Sequence, residues 1–188
     1  MKKVLSIWVV LMMLVCVGLS AVADMPTADR AGNAIVVPEQ VDSIISLAPS
    51  ITQVLVDVGV ADKLVAVDTY SAGSKELPGE LPAFDMMAPD MEQMVALEPD
   101  LVFVSGMSLA HGSDPFTVLT DAGVCVAYIP SSTSIDGILE DTLFIGKLVG
   151  KEAEAQGLND TLMEGIEAMR VETDTPIPVF FEIGFPYT

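Results

Sequence analysis

The fold of this chain is constrained most by a regular alternation of apolar runs and amphipathic stretches over residues 41–106. Residues 43–47 are enriched in β-branched side chains, and residues 101–104 are apolar on both faces. Runs of the second kind are typical of central strands in a parallel sheet, which helices cover on both sides. Residues 64–67 and 124–129 repeat these patterns and are predicted as further strands.

Helices are predicted between these strands. Apolar side chains recur at i, i+3, i+4 and i+7 from Ile51, with Ser50 as the predicted N-cap and Gly59 as a left-handed stop. Asp90 is predicted to cap a second helix, with Gln93 completing a capping box. Three more helices are predicted: from the cap Asp114 through Pro115 to Gly123, over Ile135–Leu148 with Gly150 closing it, and over residues 152–171 with an apolar stripe.

Strands that alternate with helices in this way imply βαβ units. The predicted fold class is therefore α/β: a doubly wound parallel-sheet (Rossmann-like) lobe over residues 42–150, followed by a long helix over residues 151–172. Residues 179–183 are predicted to begin another strand close to the last residue of the sequence.

The first residues have the layout of a secretory signal. Lys2 and Lys3 precede an uncharged, largely apolar stretch over residues 4–19, and small residues follow at 21–23. This predicts a signal peptide over residues 1–23 and export to the periplasm or the outer face of the cell membrane. An uncleaved anchor and lipidation of Cys16 stay open as alternatives. Residues 24–41 lack periodicity and are predicted to form a flexible tether.

The charge of the chain narrows the classes of partner. Without residues 1–23, the chain has 27 acidic against 6 basic side chains, a net charge of −21. Such a surface repels nucleic acid and anionic lipid. The remaining cysteine, Cys125, is expected to be a small buried side chain, and there is no CxxC motif.

The expected ligand site is the carboxyl edge of the sheet, where doubly wound folds bind ligands. The residues that follow the strands are 47–50, 68–71, 105–107 and 130–132, so Tyr70, Ser105 and Met107 should share one rim with the irregular loop over residues 84–87. Neither GxGxxG nor GxxxxGK[ST] occurs, so a nucleotide-binding role has no support.

The strings IISLAPSITQVLVDVGVADKLVAVDTYS and MEQMVALEPDLVFVSG, in this order, resemble the helical-backbone (class III) solute-binding proteins of ABC importers. That family includes vitamin B12-, iron–siderophore- and haem-binding proteins. The resemblance implies a two-lobed protein in which residues 151–172 are the rigid spine helix. FFEIGFPYT is similar to the start of the second lobe, so residues 173–188 are expected to begin a truncated C-terminal lobe.

The resemblance also implies roles for individual residues. Glu92 matches the acid with which such proteins dock onto the ABC permease, and Tyr70 matches a tyrosine that lines the ligand pocket. Met86 and Ser105 stand where tryptophans line the B12 pocket. Thioethers of Met86, Met87 and Met107, or the imidazole of His111, are alternatives that could approach a haem iron. Lys75 is the one nearby base that could serve an anionic siderophore.

The resemblance further implies a monomer with no enzymatic activity and no resident cofactor or metal, whose ligand is a metal chelate. Two other classes remain. An exported hydrolase could use Ser108, His111 and Asp114, although these are unusually close in sequence for a triad and no GxSxG elbow occurs. An acidic cell-surface interaction module without a transport role is the second.

Overall fold

The computed structural model describes residues 25–109 and 114–171. Its centre is one sheet of five strands in the order β3-β2-β1-β4-β5, and every neighbouring pair is parallel. The strands are β1 Ile44–Ser46, β2 Leu64–Asp68, β3 Ala83–Phe84, β4 Leu101–Ser105 and β5 Cys125–Ile129. The chain leaves β1 toward β2 and β3 on one side and returns to β4 and β5 on the other, so the order reverses between β1 and β4.

Five α-helices connect or follow these strands: α1 Pro49–Asp57, α2 Met91–Ala96, α3 Thr117–Asp121, α4 Ile135–Leu148 and α5 Glu152–Met169. Two short 3₁₀ turns, Ala61–Lys63 and Gly106–Leu109, precede β2 and follow β4. Together with the parallel sheet, these helices confirm the predicted α/β lobe. The short edge strand β3 was not predicted, because residues 83–84 carry no periodic pattern of their own.

Each face of the sheet has its own apolar core. On one face, α1, α4 and the start of α5 pack through side chains such as Leu55, Ile145 and Ala155 against alternate strand residues. On the other face, α2 and α3 pack through Met94, Phe116 and Leu119. Because helices cover both faces, all strand residues are buried except Val65, Ala83 and Ser105, as the sequence pattern of β4 predicts. The fold is therefore doubly wound.

Helix ends agree with the sequence prediction in part. Gly59, Gly123 and Gly150 have positive φ, as expected after helices. Asp90 caps α2, where its Oδ1 accepts from the Gln93 backbone N at 3.0 Å. The Gln93 side chain donates to the Asp90 carboxylate at 2.7 Å, whereas in a capping box it would accept from the Asp90 backbone N–H, so a reciprocal capping box is not formed.

Two predicted caps are wrong. Helix α1 begins two residues earlier than predicted, with Ala48 as the N-cap and Pro49 as the first helical residue, because proline already has helical φ. Ser50 thus lies inside the helix. Helix α3 begins at Thr117. The Asp114 carboxylate accepts from the Phe116 backbone N at 2.8 Å, which forms a local turn before the helix starts.

The prediction of a tether over residues 24–41 is wrong for residues 25–41, which pack on the lobe. Ala28 and Ala34 form an antiparallel bridge, and Asp29 is 7% exposed. Ile35 and Val41 join the core on the α1–α4 face. The segment has no hydrophobic periodicity because single side chains attach it, and no helix or strand is involved.

The long helix α5 lies where predicted but ends at Met169. Of its predicted apolar stripe, Leu158 packs against the core, whereas Leu162 and Met169 are exposed. Helix α5 packs mainly on α4, where Gly146 lets the two backbones approach closely. The predicted signal peptide, His111 and the predicted start of a second lobe lie outside the described residues.

Candidate functional site

A cavity of about 200 Å³ opens at the carboxyl edge of the sheet, beside the point where the strand order reverses. The walls come from the first turns of α1, the ends of β4 and β5, and one face of α4. Its polar lining residues are Ser50, Ser105, Ser131, Ser132, Asp141 and Thr142. Pockets for whole ligands typically measure about 300–1,000 Å³, so this cavity is the size of a subsite.

Ser105 ends β4 and lines this cavity. Its Oγ is buried and finds no hydrogen-bond partner among the described residues. Buried hydroxyls are nearly always paired in folded proteins. The Ser105 hydroxyl therefore has hydrogen-bonding capacity that the described part of the lobe does not use, at the place where doubly wound folds bind ligands.

A chain of polar contacts forms another wall of the cavity. Ser132 Oγ donates to Asp141 Oδ2, and Arg30 Nε donates to Asp141 Oδ1 at 2.6 Å. Arg30 also donates from Nη2 to Glu140 Oε2 at 2.8 Å. The hydrogen bond to Asp141, assisted by the one to Glu140, raises the pKa of the Arg30 guanidinium. Arg30 thus places a permanent positive charge behind a carboxylate of the cavity wall.

Tyr70 stands at the same edge, on the turn after β2. The buried Asp68 carboxylate shapes this turn, accepting from the backbone N of Tyr70 at 2.9 Å and of Ser71 at 3.0 Å. Ser71 Oγ donates to the same carboxylate at 2.6 Å. The turn is therefore fixed from below, while the tyrosine side chain is 78% exposed above the sheet edge. It does not line the 200 Å³ cavity.

The methionines predicted as ligand contacts differ in accessibility. Met86, after β3, is 6% exposed, so its thioether is enclosed by the lobe. Met87 is 36% exposed, and its backbone N donates to Asp85 Oδ1 at 2.8 Å. Met107 lies in the turn Gly106–Leu109 at the end of β4, and its side chain is outside the described part of the chain. Of the predicted ligand contacts whose side chains the structure describes, Ser105 alone lines the cavity.

Glu92, the predicted docking residue, is exposed in the first turn of α2. This position is favourable for an acid because the helix dipole is positive there. The short helix itself is held by the Asp90 cap, and hydrogen bonding from Gln93 lowers the pKa of Asp90. Residues 90–92 therefore form an acidic corner of the lobe surface.

The hydrolase alternative gains nothing from the structure. Asp114 Oδ2 accepts from the Tyr128 hydroxyl at 2.5 Å, and Ser108 Oγ is buried without a partner among the described residues. Burial, together with the Asp114 carboxylate, raises the pKa of Tyr128. Asp114 is thus committed to a tyrosine.

Within the described ranges, no three His, Cys, Asp or Glu side chains are grouped so as to hold a metal ion.

Two larger grooves, of about 440 and 450 Å³, lie elsewhere on the lobe. One runs beside β5 between residues 33–36 and α3, and the other lies near the amino end of β4, around Asp100. Neither includes the carboxyl ends of β1 and β4. The strand order therefore favours the smaller cavity as the ligand site.

The rim residues named from sequence include five of the twelve residues that line the cavity: Ser50, Ser105, Pro130, Ser131 and Ser132. Arg30 and Asp141 were missed. Asp141 lies on the second turn of a helix, and Arg30 lies in a segment without any pattern. Neither position carries a local signal that would join it to the rim.

The chain is similar to known proteins along most of its length. A family model described as periplasmic binding protein matches residues 44–180. An uncharacterized ABC transporter substrate-binding lipoprotein of Bacillus subtilis is 27% identical over 164 residues, which cover 84% of this chain and 52% of that protein. A cobalamin-binding protein of Halobacterium salinarum is 28% identical over 170 residues, 85% of this chain and 44% of the other.

The fold is likewise similar to a solved structure. A possible iron-binding, periplasmic solute-binding protein from Staphylococcus epidermidis superposes with a TM-score of 0.64 at 28% identity. The match covers 69% of this chain and 50% of that one. The chain spans about half the length of the proteins it matches. No helix in the described ranges is long and apolar enough to cross a membrane.

Proposed function

Because this chain belongs to the periplasmic binding protein family, we propose that it forms the ligand-binding lobe of an extracytoplasmic solute-binding protein of an ABC importer. It captures a metal chelate, an iron–siderophore, haem or cobalamin, and delivers it to the permease. The family consists of binding proteins rather than enzymes. The protein acts outside the cytoplasm, in the periplasm or on the outer face of the cell membrane.

The observation that carries this proposal is the position of the cavity. It lies at the carboxyl edge of a parallel sheet, next to the reversal of strand order between β1 and β4, where doubly wound lobes bind ligands. The cavity has the volume of a subsite, which suits a bulky ligand that rests partly on this lobe. Two proteins similar to this chain are described as a cobalamin-binding protein and as a possible iron-binding, periplasmic solute-binding protein.

Contacts with the chelate come from the residues at this edge. Tyr70 offers an exposed ring that can pack against a corrin or porphyrin face through apolar area. Ser105 offers a hydroxyl that has no hydrogen-bond partner in the described part of the chain, while Met87 and Met107 follow β3 and β4 at the same edge. Met86 supports the loop from inside, because it is buried. Glu92 offers a carboxylate for a charge-assisted pair with a permease arginine.

The proposal is tested by thermal unfolding of the purified chain with cyanocobalamin, haemin and a ferric hydroxamate. A ligand at 100 times its Kd stabilises the folded state by about 2.7 kcal/mol. For a chain of this size that raises Tm by about 5–10 °C. One chelate should produce this shift, and Tyr70→Ala should weaken its binding. Unchanged Tm with all three, together with capture of a specific protein partner, would favour the interaction module instead.

Docking is tested separately in cells. The Glu92→Arg variant of this protein, expressed in place of the wild type, should reduce growth that depends on the chelate, while its binding of the chelate in vitro stays the same. Glu98→Arg, another exposed acid beyond the end of the same helix, is the matched control. Equal growth of both variants would remove Glu92 from the docking surface.

A further inference from the structure

Arg30 stands out because it contacts the cavity wall from outside the part of the chain that the family model matches. That match begins at residue 44, whereas Arg30 lies in the segment over residues 25–41. Its guanidinium reaches two neighbouring carboxylates on α4, Glu140 and Asp141. The role of this segment is therefore a property of this chain that the family match leaves unassigned.

Asp29 fixes the segment in place. Its Oδ1 accepts from the backbone N of Ala31 at 2.9 Å and of Asn33 at 2.8 Å, which closes a tight turn. Its Oδ2 accepts from the backbone N of Tyr128 at 3.0 Å. Tyr128 belongs to the edge strand β5, and this N–H points away from β4. Asp29 thus attaches the turn to the open edge of the sheet, close to where β5 leads into the cavity.

This attachment places the Arg30 guanidinium beside the Asp141 carboxylate. The Asp141 side chain is 14% exposed, against 63% for that of Glu140, so Asp141 is the more desolvated partner. The second Asp141 oxygen accepts from Ser132, and both residues line the cavity. Arg30 therefore acts on the cavity through one carboxylate, which it orients and whose negative charge it offsets.

We propose that Arg30 is a positioning and specificity-determining residue of the ligand site, which holds the Asp141–Ser132 pair in place and keeps this wall close to neutral. This inference rests on the proposed function. Without Arg30, the Asp141 carboxylate would keep its hydrogen bond from Ser132 but lose its positively charged partner, in a poorly solvated wall. A negative wall disfavours an anionic chelate and favours a cationic one.

Three chelates of different charge test this inference: haemin with its propionates, neutral cyanocobalamin and cationic aquacobalamin. Equilibrium dialysis gives the Kd of each for the wild type and for Arg30→Gln, Asp141→Asn and the double variant. Lys147→Gln is the control, because it removes one positive charge from α4, the helix that carries Asp141, at an exposed ion pair with Glu152. Melting curves of every variant establish that each is folded.

Arg30→Gln should weaken haemin binding about three- to tenfold relative to aquacobalamin. Asp141→Asn should shift the ratio the opposite way, and the double variant should return toward the wild type. Lys147→Gln should leave the ratio unchanged. A merely structural Arg30 would lower all affinities alike, so an Arg30→Gln ratio equal to that of Lys147→Gln would overturn the inference.

A measurement without ligand separates this inference from the proposed function. The backbone N of Gly137 donates to Ser134 Oγ at 3.1 Å at the start of α4, one turn before Asp141. If Arg30 holds this region, Arg30→Gln should speed amide exchange at Gly137 and Ile138 at least about threefold, while β4 stays protected. Unchanged exchange would overturn the positioning role. If the wild type binds no chelate, the proposed function and the role of Arg30 in ligand selectivity both fail. The amide-exchange measurement then tests by itself whether Arg30 positions Asp141 and Ser132.

Discussion

Gly146 controls how closely α5 can lie against α4, and its replacement by alanine is the sharpest stability test that the lobe offers. A Cβ at Gly146 would lie 2.5 Å from the Ala155 Cβ and 2.9 Å from the Lys151 carbonyl oxygen. Ordinary carbon contacts need about 3.5–4.0 Å. The two helices would have to separate by roughly 1 Å, and a backbone carbonyl cannot rotate away as a long side chain can.

The magnitude follows from two opposing effects. Overpacking of this kind costs about 1–3 kcal/mol, whereas glycine to alanine in a helix interior gains up to about 1 kcal/mol in propensity. We therefore expect Gly146→Ala to lower the free energy of unfolding by about 1–2 kcal/mol, and Tm by about 2–8 °C. Urea unfolding followed by circular dichroism measures this directly.

Matched controls lie on the partner helix. Gly157 and Gly165 of α5 have no atom within 4 Å of a built Cβ, so alanine at either position should stabilise the lobe by about 0.5–1 kcal/mol. Adding Ala155→Gly to Gly146→Ala removes the shortest contact but keeps the one to the Lys151 carbonyl, so rescue should be partial. A Gly146→Ala variant as stable as Gly157→Ala would refute the close approach of α4 and α5.

Two further predictions concern titratable groups. Hydrogen bonds from the backbone of Asp42 and Ser43 lower the pKa of Asp100 from its usual 3.8, so the stability that this carboxylate supplies is present above about pH 4 and is lost as the pH falls through the lowered pKa. Asp100→Asn should therefore reduce the loss of stability at acidic pH, and an unchanged dependence of stability on pH would contradict this. Burial, with the Asp29 charge, raises the pKa of Cys125 to about 11. In a Cys16→Ser variant, the Cys125 thiol should therefore not react with a disulfide reagent at pH 8 until urea unfolds the chain, and rapid labelling of the folded protein would contradict this.

The sequence alone was sufficient to predict the strands and helices whose apolar residues recur with a regular period. The strands around Ile45 and Val102 and the helix Ile135–Leu148 were predicted nearly to the residue, since their apolar spacing reflects burial in the two cores. Helix starts were less predictable. At α1, both Ser50 and Pro49 are favourable near an N-terminus, and the choice depends on how the chain leaves β1.

The residues of the candidate site likewise fall into those that the sequence could predict and those that it could not. Ser105 could be predicted because it lies at the carboxyl end of a strand that had to reach the sheet edge. Asp141 and Arg30 could not, because their meeting requires that a patternless segment return to the edge strand and cross toward α4. That path is set by single hydrogen bonds such as the one from Tyr128 to Asp29, and single polar contacts leave no period in a sequence.

The position of the cavity and its chemistry therefore have different origins. The opening beside β1 and β4 follows from strand order, since the chain leaves β1 to one side and returns on the other, and the loops at their ends diverge. Its lining depends on residues that follow strands or arrive from elsewhere, among them Ser105, Ser132 and Asp141. Changing these side chains leaves the hydrophobic pattern intact, so the charge of the cavity can change without a change of fold. The proposed chelate is accordingly best identified by varying the charge of these side chains and of the ligand together.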